Sequence, residues 1–160
     1  MFGAFWNNNA RRAVLIFSLA SVVGFLHIAP PLLIAYHRAA SGEPFVFGVE
    51  SYRNDLGYLA RAREIYDGRF PPSDLFSDQP RPTIQNPLPS SIMAAFLAVA
   101  GGRIVPAYLL ALFVFSQLNF LAFYLLGRAL FASPAAAILF ALIGALTPIP
   151  FRIFNFDGTA

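Results

Sequence analysis

Three apolar stretches of more than 20 residues carry no charge, and the segment between the first two holds most of the charge. Residues 1–12 are polar and end in Arg11-Arg12, and residues 13–36 follow as an uncharged run of 24 residues. A helix needs about 20 apolar residues to cross the hydrocarbon of a bilayer, so this run predicts a first transmembrane helix. Pro30-Pro31 is expected to kink or end its outer part. An apolar run behind two arginines also has the opening of a signal peptide. Its length, the lack of a small-x-small cleavage site before Pro30 and the further apolar runs downstream favour a retained anchor.

Residues 37–87 carry six of the eleven arginines and seven of the eight acids. Each charge at the centre of a bilayer costs about 2.5–3.5 kcal/mol even on lenient insertion scales, so no helix here is expected to cross. Within this segment, residues 55–67 predict a short amphipathic helix. Tyr58, Ala62, Ile65 and Tyr66 fall at i, i+4, i+7 and i+8 and share one face. Asn54 or Asp55 suits its start, Gly68 its end, and Pro71-Pro72 prevents continuation. The Pro-rich stretch at 70–89 predicts extended coil.

Residues 88–101 are apolar but too few for a full crossing, which predicts a re-entrant or interfacial helix broken by Gly101-Gly102-Arg103. Residues 104–127 predict a second transmembrane helix and residues 132–151 a third, with 152–160 opening a second outer loop. The fold class expected is therefore all-α: a multi-pass transmembrane protein with a large first extracytoplasmic loop containing short interfacial helices. Arg11-Arg12 favours a cytoplasmic N-terminus, which puts residues 37–87 outside. If 88–101 is re-entrant, Arg128 is inside and Asp157 outside. If it spans, these two exchange sides. Cation counting slightly favours the second version, but length favours the first and is given more weight.

Composition agrees with lipid as the solvent. Hydrophobic residues make up 58% of the 160 and charged residues 12%, about half the share of an ordinary soluble domain. The net charge of +3 is scattered, with no basic face, so nucleic acid is set aside as a partner. There is no cysteine, which removes disulfide and thiolate chemistry.

Most of the outer acids have a plain role. Glu64, three residues after Arg61, predicts a helix-surface ion pair, and Glu43, Asp67, Asp74 and Asp78 read as solvated or turn residues. Asp55 is singled out by position. At the start of an amphipathic helix near the membrane surface it can cap that helix, accept a proton from a hydroxyl, or do both. His27 reads as a packing or inter-helix residue, and Gln117 and Asn119 as bonding neighbouring helices. His37 and Arg38 stand at the outer exit of the first span, where they either snorkel or meet a lipid phosphate.

The order of short elements carries a resemblance. After the first span come Asn54-Asp55-Leu56-Gly57-Tyr58-Leu59-Ala60-Arg61-Ala62-Arg63-Glu64-Ile65-Tyr66-Asp67-Gly68-Arg69-Phe70-Pro71, then Asn86-Pro87-Leu88-Pro89 and a short apolar helix ending in Gly101-Gly102. The next span closes on Tyr124-Leu125-Leu126-Gly127-Arg128-Ala129-Leu130-Phe131. This resembles the N-terminal region of the GT-C superfamily of integral-membrane glycosyltransferases. Asn86-Pro87-Leu88-Pro89 departs from that family's His-Pro-Pro-Leu element, so no role of its histidine carries over.

The resemblance implies transfer of a sugar from a polyprenyl-phosphate donor to an acceptor at the outer face of a bacterial plasma (inner) membrane. It implies Asp55 as the catalytic base or a metal carboxylate, with Asp157 as a second metal-site acid. It makes Arg38, Arg53 and Tyr58 the substrate-binding candidates. The leaving lipid phosphate needs positive charge, supplied by Arg38, Arg53 or a divalent Mg or Mn ion. Family members are several times longer, so the chain is expected to be a fragment, inactive alone. Two other readings compete. One is a non-catalytic membrane subunit whose outer loop binds a partner. The other is a piece of a transporter, which ranks last because His27 is the sole ionisable residue within a span.

Overall fold

The computed structural model describes residues 8–42, 53–73, 82 and 86–147, with the side chains of 8–9 and 53–58 left aside. Among the described residues the fold is all-helical, with five α-helices and no strand: α1 (Asn8–Ala40), α2 (Arg53–Tyr66), α3 (Leu88–Val99), α4 (Ile104–Leu130) and α5 (Pro134–Leu146). Among the described residues two helices are long and apolar enough to cross a membrane, Ala10–Ala40 within α1 and Ile104–Leu130. Only 17% of the most apolar window of each is buried, whereas the core helix of a water-soluble protein would be mostly buried.

The long helices outrun the uncharged stretches that predicted them. α1 takes in Arg11 and Arg12 at one end and His37 and Arg38 at the other. Charge limits what lipid accepts, but it does not interrupt backbone hydrogen bonding. α1 also continues through Pro30-Pro31, where an end or kink was expected. Each proline removes one amide donor, from the carbonyls of Leu26 and His27, and the ladder on either side holds the helix. α3 and α5, at 12 and 13 residues, are about 18–20 Å long, short of the ~30 Å hydrocarbon. Of the expected third span at 132–151, α5 accounts for Pro134–Leu146, and 148–151 lie outside the described residues.

The chain divides into two compact units, Met1–Pro30 with Leu112–Ala160, and Pro31–Ala111. In the first, Ala20 and Val23 of α1, Phe120 of α4, and Ala141 and Ala145 of α5 form the core. Apart from Phe120, its contact residues are small. Ala137, Ala141 and Ala145 recur every fourth residue and are fully buried, while Leu139 and Ile143 of the same helix are exposed. Gly127 of α4 meets α5 so closely that a Cβ there would stand 3.0 Å from the Ala137 Cα. Phe123 and Phe140 close over this contact edge to face, with centroids 5.8 Å apart. Small residues inside and large apolar ones outside is the pattern of helices packed in lipid, where apolar burial gives no drive and close approach does. At the start of α5, Ser133 accepts from the Ala136 amide, and Pro134 occupies the first turn.

In the second unit α2 packs on α3, around Ala62, Leu97 and Ala107. Both helices end in the same way. Arg69 N–H bonds Glu64 C=O and Gly68 N–H bonds Ile65 C=O; Gly102 N–H bonds Leu97 C=O and Gly101 N–H bonds Ala98 C=O. This paired ending needs a left-handed residue after the helix, and Gly68 (φ 87°) and Gly101 (φ 62°) supply it. The stop expected at Gly68 is therefore present.

Candidate functional site

The polar chemistry of the second unit collects around α2. This helix begins at Arg53 rather than Asp55, so Asn54 and Asp55 stand inside its first turn and not ahead of it. The first turn is the positive end of the helix dipole. The expected helix at 55–67 thus becomes Arg53–Tyr66, with Asp67 just beyond its end. The side chains of Arg53, Asp55 and Tyr58 are outside the described set. Arg38 lies in the last turn of α1, half-buried and engaged. Asp157 lies outside the described residues.

The second half of α2 is described in full. Glu64, expected to pair with Arg61 on the surface, instead receives both polar groups of Ser73. The Ser73 amide donates to Oε2 at 2.6 Å and its hydroxyl to Oε1 at 2.9 Å. This two-point clamp ties the chain after α2 back along the helix, and Pro72, next to Ser73, is fully buried. Ser73 is also bridged antiparallel to Pro82, which brings the two ends of the intervening loop together. Arg61 is 3% exposed, not a surface residue. It lies only roughly 40° round the helix from Ile65, on the flank of the apolar face, and that spacing was the available signal.

Arg63 ties the ends of α2 and α3 together. Its Nη1 donates to the Gly102 carbonyl at 3.1 Å and its Nε to Asp67 Oδ2 at 3.0 Å. Its guanidinium lies 5.2 Å from the centroid of the Tyr66 ring. Tyr66 in turn lies against Gly102, where a Cβ would meet the phenol oxygen at 3.0 Å. Asp67, read from sequence as a solvated or turn residue, is a half-exposed partner of Arg63. At the start of α3, Asn86 Oδ1 accepts from the Leu88 amide at 3.0 Å, a local turn that sets the helix entrance.

The other candidates resolve simply. His27 Nδ1 bonds the Val23 carbonyl of its own helix at 2.9 Å, rather than a neighbouring helix. His37 stacks edge-on to Tyr36, with centroids 5.9 Å apart. Asn119 is exposed on α4, with no hydrogen bond to its carboxamide among the described residues. The open face of α1 from Ala13 to Phe25 is apolar apart from Ser18 and Ser21. Among the described residues no three His, Cys, Asp or Glu side chains gather to hold a metal ion, and Asp55 and Asp157 are not among the side chains so searched. No family model matches the chain, and neither a curated protein nor a solved structure matches it.

Proposed function

We propose that the chain is a multi-pass protein of a bacterial plasma membrane, with residues 37–87 on the outer face. In this reading it forms the N-terminal part of a glycosyltransferase that moves a sugar from a polyprenyl-phosphate donor to an acceptor there. One observation carries the proposal: α2, with Asp55 in its first turn, packs on α3, and α3 runs through residues 100–103 into the apolar α4. Four residues of chain reach at most about 14 Å. Arg63 and Tyr66 fasten the last turn of α2 beside Gly102, and Asp55 stands about 12–17 Å further along the same helix; in this reading that helix holds the proton acceptor for lipid-linked chemistry.

In this reading the Asp55 carboxylate accepts the proton of the acceptor hydroxyl as that oxygen attacks the anomeric carbon. The bond from that carbon to the lipid phosphate breaks, and Arg38 and Arg53 offset the charge left on the phosphate. Tyr58, three residues after Asp55 in the sequence, is assigned to the same substrate in this reading. A divalent Mg or Mn ion at Asp55 and Asp157 belongs to the proposal as a further source of positive charge. The competing reading, a non-catalytic subunit, draws support from Arg63 and Glu64, whose polar groups are spent on holding the outer unit together.

The test uses membranes of cells expressing the full gene product, supplied with polyprenyl-phosphate donors carrying radiolabelled hexose or pentose. Asp55→Asn is expected to abolish transfer while membrane insertion stays normal. Wild-type transfer by Asp55→Asn removes Asp55 from the reaction and leaves the subunit reading.

A further inference from the structure

α4 carries an exposed carboxamide part-way along its apolar length, at Asn119. Asn119, Ala122, Leu126 and Ala129 are all exposed, and they follow one another at intervals of three, four and three residues. That is the seam spacing of two helices winding about each other. The seam lies roughly 120° round α4 from Ser116, Phe120 and Gly127, the buried positions of α4 within the first unit, whereas Ala107 and Ala111 are buried in the second. The packing within this unit therefore leaves the seam uncovered.

In hydrocarbon a carboxamide has no water to bond, so its polar groups favour a partner helix. A carboxamide holds an N–H donor and a C=O acceptor together, so it complements its own copy across a two-fold axis. Copies of one chain enter the membrane in one orientation, so two α4 helices meet in parallel and in register, Asn119 against Asn119. Alanine at 122 and 129 lets the two backbones approach, and one asparagine in an apolar seam fixes register and pair formation.

We propose that α4 pairs with α4 of a second copy of this chain along Asn119, Ala122, Leu126 and Ala129. The proposal rests on α4 spanning the membrane, as argued above. It is independent of the chemistry at Asp55.

The absence of cysteine makes the test clean, because single cysteines can be introduced without background. Ala122→Cys, Leu126→Cys and Leu125→Cys are each placed in the full chain, reconstituted in phosphatidylcholine–phosphatidylglycerol vesicles and oxidised with copper phenanthroline. Leu125 is 68% exposed but lies off the seam, so it reports random collision. Positions 122 and 126 are expected to cross-link several-fold more than 125. Asn119→Leu is expected to weaken the pairing by roughly three- to twentyfold, the range that hydrogen bonds between helices in a membrane produce. Equal cross-linking at all three positions, or no effect of Asn119→Leu, overturns the pairing. Alkaline carbonate extraction runs alongside: release of the chain from the vesicles overturns the membrane reading itself, whereas retention without selective cross-linking overturns the pairing alone.

Discussion

Gly101 and Gly102 share a left-handed backbone, with φ of 62° and 77°, but have different surroundings. A Cβ at Gly101 meets nothing within 4 Å, whereas at Gly102 it meets the Tyr66 phenol at 3.0–3.2 Å. Alanine in this backbone region costs about 1–2 kcal/mol, and about 0.4–1 kcal/mol returns through the less free unfolded chain. Gly101→Ala is therefore expected to lose about 1 kcal/mol. Gly102→Ala also pushes the Tyr66 ring aside and disturbs its stack with Arg63, a contact worth about 0.5–1 kcal/mol at an exposed site. Its loss is expected near 1.5–2 kcal/mol.

Amide hydrogen exchange in lipid nanodiscs reads both variants, since about 1.4 kcal/mol is a tenfold change in protection. Gly101→Ala should speed exchange only at the end of α3. Gly102→Ala should speed it there and also in α2 around Tyr66. Measured relative to Tyr66→Ala alone, adding Gly102→Ala should cost no more than Gly101→Ala costs in the unaltered chain. Equal losses for the two single variants would refute the packing of Tyr66 on Gly102.

Three further outcomes are expected. Gly127→Val forces side-chain atoms against the α5 backbone, which cannot yield as a side-chain tip does; a loss of about 1–3 kcal/mol in detergent unfolding is expected, and unchanged stability would count against the α4–α5 contact. Glu64→Ala strips the Ser73 amide and hydroxyl of their acceptor, for a loss of about 1–3 kcal/mol seen as faster exchange of the Ser73 amide, with Glu64→Gln losing less because one oxygen remains. In the transfer assay EDTA is expected to stop turnover and Mg or Mn to restore it; transfer indifferent to EDTA removes the metal from the proposal.

The element order was legible because apolar run length and the 3.6-residue period are local properties of the chain. The positions of α2, α3 and α4 followed from Tyr58, Ala62, Ile65 and Tyr66, from Gly68, and from Gly101-Gly102. What escaped was set by contacts distant in sequence. Nothing near Glu64 says that its carboxylate is taken by Ser73, nine residues on. Nothing near Arg63 signals a bond to the Gly102 carbonyl, 39 residues away. The ends of α1 escaped for another reason: uncharged length measures what lipid will hold, and a helix with good backbone bonding continues into water. Of the candidate site, the position of Asp55 on a helix was legible to within two residues. The identity of the groups around it rested on resemblance alone.

The two long helices carry uncharged stretches of equal length, 24 residues each. In helical form each is about 36 Å, some 6 Å more than an average hydrocarbon core. If both helices cross a membrane, as proposed, they would lean in a bilayer of ordinary thickness and stand straighter in a thicker one, at a fraction of a kcal/mol per Å of mismatch. A chain built this way would favour thick bilayers, and acyl-chain length would change helix tilt without touching a single side chain.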